Sequence, residues 1–135
     1  MSARVVQPEG WPSPKGYANG MLAPPGAAML FVSGQIAWDT AERLVSDQLE
    51  AQFVQALRNV RAVVEAAGGS AQDVVRMTFY VVDKADYARC RPALADGWRA
   101  VFGRHYPACT LVEVKDLLED GALVEIEATA ALTPE

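Results

Sequence analysis

Residues whose types could do chemistry concentrate near the carboxyl end of the chain, in the segments 106–114 and 123–128. Their pattern predicts a β-hairpin that places Cys109 and the carboxylate pair Glu125 and Glu127 on neighbouring strands. A carboxylate can hold a water molecule and shuttle its proton, so these two glutamates could have a catalytic role. On the sequence pattern alone, the favoured interpretation is that Glu125 and Glu127 form only the polar face of an edge strand.

Cys109 allows two interpretations. A nucleophilic thiolate needs a lowered thiol pKa. The sequence offers no partner base beyond Glu125, whose negative charge would raise that pKa. A cysteine packed in the wall of a pocket is the favoured alternative. Arg91 stands at a predicted helix start, where its guanidinium could swing into a cleft or remain in solvent.

The composition fits one globular domain over residues 1–135, with 51% hydrophobic and 21% charged residues. The net charge of −5 argues against a nucleic-acid partner. Two cysteines and the lone His105 do not make a metal cluster, so we expect no metal or cofactor and a structural histidine. No apolar run reaches the roughly 18 residues of a membrane span, and no leader is recognisable. We therefore expect a cytoplasmic protein with reduced thiols and no membrane association.

One amphipathic helix is predicted over residues 47–67, because its apolar residues recur at steps of four and three. Asp47 is the expected N-cap, with Glu50 at the capping-box spacing. Gly68 and Gly69 are expected to end the helix in a left-handed conformation.

A second helix is predicted from Arg91 or Pro92 to Phe102, because proline suits the first helical turn, with a separate turn over 86–90. Pro24-Pro25-Gly26 predicts a hairpin turn. The apolar strand 29–33 is expected to be buried on both faces. Strands are predicted over residues 4–6, 20–23, 29–33, 74–82, 108–115 and 123–131.

This element order predicts an α+β domain in which two helices cover one face of a mixed sheet. The other face of strand 74–82 carries Arg76, Thr78 and Tyr80, which is too aromatic for a plain solvent surface. A symmetric oligomer would bury that face.

Motifs along nearly the whole chain resemble the reactive-intermediate deaminase family, also called RidA, YjgF or L-PSP endoribonuclease. The similarity rests on several motifs in the right order. These are Tyr17, Val32-Ser33-Gly34-Gln35-Ile36, Gln52, Leu57-Arg58-Asn59-Val60, Glu65-Ala66, Gly68, Val74-Val75, Asp83, Tyr106-Pro107-Ala108 and Val124-Glu125-Ile126-Glu127-Ala128.

The resemblance implies a chorismate-mutase-like fold and a homotrimer with small-molecule sites in the clefts between subunits. In active family members an arginine after the Pro-Ala pair binds the carboxylate of a small imine or enamine, and a glutamate with a nearby backbone carbonyl positions the attacking water. Carried over, Glu125 is the catalytic residue, Tyr17 and Ser33 line the pocket, and Thr110-Leu111 offers the carbonyl.

Two positions depart from the family pattern. Cys109 stands in place of the substrate-binding arginine, and Arg91 in place of an asparagine at the second helix, where it could replace the lost guanidinium. The resemblance therefore supports a cofactor-free, deaminase-like hydrolase acting on an imine, enamine or related carbonyl derivative. A non-catalytic ligand-binding or sensing protein is the alternative, and an endoribonuclease is the less favoured one.

Overall fold

The computed structural model of the chain describes residues 2–133, and a four-stranded mixed sheet forms its centre. The strands are β1 (Arg4–Val6), β2 (Gly20–Leu22), β3 (Ala28–Gln35), β4 (Val74–Val81), β5 (Ala108–Glu113) and β6 (Val124–Leu132). The strand order of the central sheet is β3-β6-β4-β5, with β6 antiparallel to both of its neighbours and β5 parallel to β4 at one edge. A separate antiparallel ribbon pairs β1 with β2.

The predicted hairpin between the last two strands is wrong, because β4 lies between β5 and β6. The physical reason is burial: Val124, Ile126 and Ala130 of β6 are completely buried, and only the middle of the sheet offers that environment. Cys109 and Glu125 are consequently two strands apart. Cys109 lies opposite Met77 of β4 on the helix-covered side, whereas Glu125 lies opposite Tyr80 on the other side.

Residues 2–133 form three α-helices rather than the two predicted. They are α1 (Leu49–Ala66), α2 (Lys84–Arg89) and α3 (Arg91–Phe102). The expected turn over 86–90 belongs to α2, which begins because the Asp83 carboxylate accepts hydrogen bonds from the backbone N–H groups of Ala85 and Asp86 at 3.0 and 3.1 Å. The prediction for α3 is confirmed, with Pro92 in its first turn.

The start of α1 differs from the prediction. Gln48 occupies the N-cap position without a side-chain cap, and the Asp47 carboxylate accepts instead from the Gln48 side chain at 2.9 Å. The expected capping box is therefore absent. The other end agrees, because Gly68 takes the left-handed conformation with φ +90°.

The core lies between α1, α3 and one face of the sheet. Gln52 of α1 is completely buried within it. Its side-chain amide donates to the carbonyls of Ser46 and Gly121 at 2.9 and 2.8 Å, and its oxygen accepts from Leu123 N–H at 2.8 Å. Gln52 thus ties the start of α1 to the start of β6, and both ends of its own buried amide group have hydrogen-bond partners.

The opposite face of the sheet is uncovered in the single chain. Met29 and Phe31 of β3 are 45% and 77% exposed there, so the expectation that β3 is buried on both faces is wrong for one chain. Side chains alternate along a strand, and only Leu30 and Val32 point to the core. We call this surface the uncovered face; it carries Met29, Phe31, Ser33, Arg76, Thr78, Tyr80, Thr110, Glu125 and Glu127.

The turn at Pro24-Pro25-Gly26 is present, with Ala27 N–H donating to the Pro24 carbonyl at 3.3 Å and Gly26 at φ +79°. It joins β2 to β3, which lie in different sheets, so it does not close a hairpin.

Within residues 2–133, none of the helices combines the length and the apolar character that a membrane span requires.

Candidate functional site

A cleft of about 980 Å³ opens beside the edge strand β5. It forms because α1 packs over β3 and β6, at the far side of the sheet, and leaves the β5 side less covered. Cys109 and Leu111 of β5 line one wall, Tyr87 and Arg91 line another, and Tyr17 of the N-terminal loop also contributes.

Five aromatic rings form a continuous wall of this cleft: Tyr87, Phe53, Phe79, Trp98 and Tyr106. Neighbouring ring centroids lie 6.4, 5.9, 6.2 and 6.0 Å apart in that order. These are the separations at which aromatic pairs attract one another. The wall is therefore apolar and held rigid by ring-to-ring packing.

His105 supports this wall from behind. Its Nε2 atom lies 2.6 Å from the carbonyl oxygen of Val74, and its own carbonyl accepts from the Trp98 indole N–H at 3.0 Å. The ring of His105 thus contacts the backbone of Val74, and its carbonyl holds the Trp98 indole, which supports a structural role for this histidine. Across the part of the chain that the structure describes, His, Cys, Asp and Glu side chains form no group of three able to hold a metal ion.

The charged residues that line the cleft are all basic: Lys15, Lys84, Arg91 and Arg99. Arg99 is paired with Asp96 one helical turn away, whereas no salt bridge involves the other three within residues 2–133. Since the whole chain has a net charge of −5, this is a local concentration of positive charge on an acidic protein. Such a cleft attracts an anion.

Cys109 is a packed, neutral wall residue. Its thiol donates to the carbonyl oxygen of Pro107 at 3.2 Å. Burial raises the pKa of the Cys109 thiol to about 11, with a smaller opposing effect from the Arg76 charge. The thiol therefore carries its proton at neutral pH, which favours the pocket-wall interpretation over the nucleophile.

Tyr17 is held at the cleft by the start of β5. Its neighbour Ala18 forms a parallel bridge to Ala108 and donates from its backbone N–H to the Pro107 carbonyl at 3.0 Å. The loop is thereby tied to the strand that carries Cys109. Beyond this bridge the outer edge of β5 has no strand partner among residues 2–133, which leaves backbone groups near Thr110-Leu111 available.

Ser33 and Glu125 lie on the uncovered face, away from the cleft. A bulge between Val32 and Gln35 sets Ser33 and Gly34 opposite the single residue Glu127 of β6. Gly34 has no side chain, and the Glu125 carboxylate lies directly over it. The Ser-Gly pair of β3 therefore shapes the position of Glu125.

The two carboxylates on β6 differ in their surroundings. Glu127 accepts a hydrogen bond from the Tyr80 hydroxyl at 3.0 Å, which raises the pKa of Tyr80. No side-chain hydrogen bond involves Glu125 within residues 2–133, so its carboxylate is free to hold water. Thr110 is also on this face, where its hydroxyl accepts from the Arg76 guanidinium at 3.0 Å.

One chain thus divides the candidate site residues into two groups. Tyr17, Arg91, Cys109 and Leu111 line the cleft, whereas Ser33, Thr110 and Glu125 lie on the uncovered face. The sequence reasoning missed Lys15, Lys84 and Tyr87 as lining residues. Tyr87 lies in α2 and Arg91 begins α3, so a spacing within one helix could not have indicated that they share a cleft.

Fold and cleft together define a small α+β protein with a positive, aromatic cleft. A family model described as endoribonuclease L-PSP matches residues 15–132. The chain belongs to this family, known also as Rid or YjgF, which confirms both the resemblance seen in the sequence and the α+β fold.

Relatives and solved structures agree with this assignment. A RutC family protein from Pyrococcus horikoshii is 38% identical, covering 93% of this chain and 95% of its own. The 2-iminobutanoate/2-iminopropanoate deaminase of Salmonella typhimurium is 39% identical, over 76% of this chain and 79% of its own. The structure of the Rid family protein YyfB from Yersinia pestis has a TM-score of 0.81 at 33% identity, and the match covers 98% of this chain and 100% of that one. The structure of Escherichia coli TdcF with bound serine has a TM-score of 0.68 at 30% identity, and the match covers 96% of this chain and 99% of that one.

Proposed function

We propose that the protein is a cofactor-free hydrolase of imines or enamines that carry a carboxylate, acting in clefts between the subunits of a homotrimer. The observation that carries this proposal is the cleft itself, in which Arg91 and Cys109 line a common space with basic residues and without a lining carboxylate. An anionic substrate fits such a cleft.

A second copy of the chain is needed to complete the proposed site. Arg91 and Cys109 lie on the helix side of the sheet, and Glu125 lies on the uncovered face. Since a sheet separates them, one chain alone does not bring them around one ligand. A neighbouring copy would bring its uncovered face to the cleft and would also bury Met29 and Phe31.

In the proposed reaction Arg91 binds the substrate carboxylate, in place of the family arginine whose position Cys109 occupies. Glu125 holds a water molecule, with a β5 backbone carbonyl near Thr110-Leu111 as second acceptor. The water oxygen adds to the imine carbon as Glu125 takes one of its protons, and a proton goes to the nitrogen. The resulting carbinolamine loses ammonia, and the carbon–nitrogen bond is replaced by a carbonyl. Imine and water are thus converted to a carbonyl compound and ammonia.

The relatives support this reaction class. The Salmonella protein is named as a deaminase of 2-iminobutanoate and 2-iminopropanoate, both of which carry a carboxylate. The E. coli TdcF structure holds serine, an amino acid with the same group. Tyr17 and Ser33 would complete the pocket around such a ligand.

A non-catalytic ligand-binding protein is the second candidate, and the neutral Cys109 thiol favours it. An arginine at that position would offer a bidentate guanidinium, whereas a protonated thiol offers no charge. An endoribonuclease is disfavoured by the net charge of −5.

The test is a coupled assay in which an amino-acid oxidase generates imines and semicarbazide traps them. An active protein lowers the rate of semicarbazone formation. Glu125→Gln should lose turnover by about 10²–10⁴-fold while the oligomer persists. Glu119→Gln, an exposed control outside both site groups, should match the wild type. Full activity of Glu125→Gln would remove Glu125 from the mechanism, and a silent wild type that still binds a carboxylate ligand would support the binding protein.

A further inference from the structure

We propose that the cleft selects imines of bulky apolar α-amino acids, aromatic ones above all, over the short-chain imines named for the relatives. This inference rests on the proposed function and specifies its substrate class. It follows from three features of the cleft: its aromatic wall, its size and the placement of its charges.

The aromatic wall supplies the surface that an apolar side chain needs. Phe53, Phe79 and Trp98 belong to the hydrophobic core and, at 3%, 6% and 7% exposed, present only a small part of their surface to the cleft, whereas Tyr87 and Tyr106 are half-buried and present more. Leu94 and Leu111 add to the apolar lining. Burying apolar surface against such a wall is favourable roughly in proportion to the area removed from water. The two-carbon side chain of 2-iminobutanoate would cover little of it.

The size of the cleft leads to the same conclusion. A volume of about 980 Å³ lies at the upper end of the roughly 300–1,000 Å³ found for pockets that hold drug-sized ligands. Cys109 contributes to this space, because its side chain is much shorter than the arginine expected there from the family resemblance.

The polar groups of the cleft suit a ligand with an anionic end and an apolar end. Arg91 supplies positive charge to the same cleft that Tyr87 lines. No hydrogen bond involves the Tyr87 hydroxyl within residues 2–133, so this hydroxyl is available to a ligand carboxylate beside Arg91. The apolar part of the ligand would then extend along Phe79, Trp98 and Tyr106.

The test compares imines generated from phenylalanine, leucine, methionine, alanine and 2-aminobutyrate by kcat/KM in the semicarbazide competition assay. We expect the phenylalanine-derived imine to exceed the 2-aminobutyrate-derived imine by about tenfold or more, the discrimination typical of an apolar pocket. Equal values, or a preference for the short imines, would overturn this inference and leave the proposed function standing. Inactivity towards every imine would overturn both.

A variant that fills the cleft checks the cause of the selectivity. Cys109→Met lengthens an apolar wall residue and should reduce the phenylalanine-to-aminobutyrate ratio by about tenfold. Val63→Met adds bulk on the exposed side of α1, outside the cleft, and should leave the ratio unchanged. Calorimetric binding of phenylpyruvate and 2-oxobutanoate gives a readout independent of turnover, and tighter binding of 2-oxobutanoate would contradict the proposal.

Discussion

The carboxylate of Glu125 lies so close to the backbone of Gly34 that a β-carbon on Gly34 would overlap the carboxylate atoms. The bulge in β3 brings the two residues together, because it sets Ser33 and Gly34 opposite Glu127 alone. The backbone of Gly34 has no positive φ, so conformational freedom is not what requires glycine here. Space for the Glu125 side chain is the requirement.

Gly34→Ala is therefore expected to reduce kcat by about 10²-fold with little effect on folding. The added methyl group meets the far end of a flexible side chain, so Glu125 can rotate away at low cost in stability but leaves the position in which it would hold water. Steady-state kinetics together with thermal unfolding would check this.

Gly20→Ala is the matched control. Gly20 also lies in a strand without a positive φ, but a β-carbon there would make an ordinary contact of 3.5 Å with Val6. Its turnover should equal that of the wild type. Unaltered kcat in Gly34→Ala would show that the position of Glu125 does not matter for the reaction.

Some elements of the fold could be predicted from the sequence and others could not. The periodicity of residues 74–82 and the proline at position 92 predicted β4 and α3, because local preferences decide those elements. The position of β6 between β3 and β4 was missed, because strand order depends on long-range burial that no local pattern encodes.

For the candidate site, too, the sequence indicated some features and not others. Tyr17, Arg91, Cys109 and Leu111 line the same cleft in one chain, and their roles in binding a ligand stay predictions. Their separation from Glu125 by the sheet follows from the pairing register, in which Cys109 lies opposite Met77 and Glu125 lies opposite Tyr80, and no local sequence pattern fixes that register.

Arg91→Met tests the proposed replacement for the family arginine. Methionine keeps much of the apolar stem and the helix propensity but removes the charge. A charge-assisted hydrogen bond contributes about 1.5–3 kcal/mol, so KM for a carboxylate imine should rise by roughly ten- to a hundredfold while kcat changes less.

Arg58→Met provides the comparison, because Arg58 is exposed on α1 and does not line the cleft. Its KM should stay at the wild-type value, and Arg91→Lys should recover part of the lost affinity. An unchanged KM in Arg91→Met would place the carboxylate elsewhere in the cleft.

The raised pKa of Cys109 predicts slow thiol alkylation in the native protein. At pH 8 a thiol with a pKa of about 11 has roughly a hundredfold less thiolate than one with the ordinary value of 9.0. In a Cys90→Ala background, iodoacetamide should therefore modify native Cys109 much more slowly than the same residue in urea. Equal rates would indicate that the thiol is not shielded in the cleft wall.

The raised pKa of Cys109 also makes the stability of the fold depend on pH, and the sign of that dependence can be predicted. Because the native state keeps the Cys109 proton to higher pH than the unfolded chain, the associated stabilisation is present below about pH 9.0 and is lost as pH rises towards 11. Thermal unfolding measured from pH 8 to 11 should show a fall that is shallower in Cys109→Ala. Tyr80 and Tyr87 also have raised pKa values, so part of the alkaline fall should remain in that variant.

Phe31→Glu tests whether the uncovered face is the subunit contact. Phe31 is 77% exposed in the single chain, so a charge there should leave the fold of each chain intact. In the proposed trimer the same charge would be buried against a neighbouring subunit, where an unpaired carboxylate is strongly unfavourable. Light scattering should then give the mass of one 14.5 kDa chain, and imine hydrolysis should be lost because Glu125 no longer reaches a cleft.

Leu118→Glu, at a fully exposed residue in the connection between β5 and β6, should keep both the oligomeric mass and the activity. A Phe31→Glu protein with the wild-type mass and turnover would show that the subunits meet through another surface.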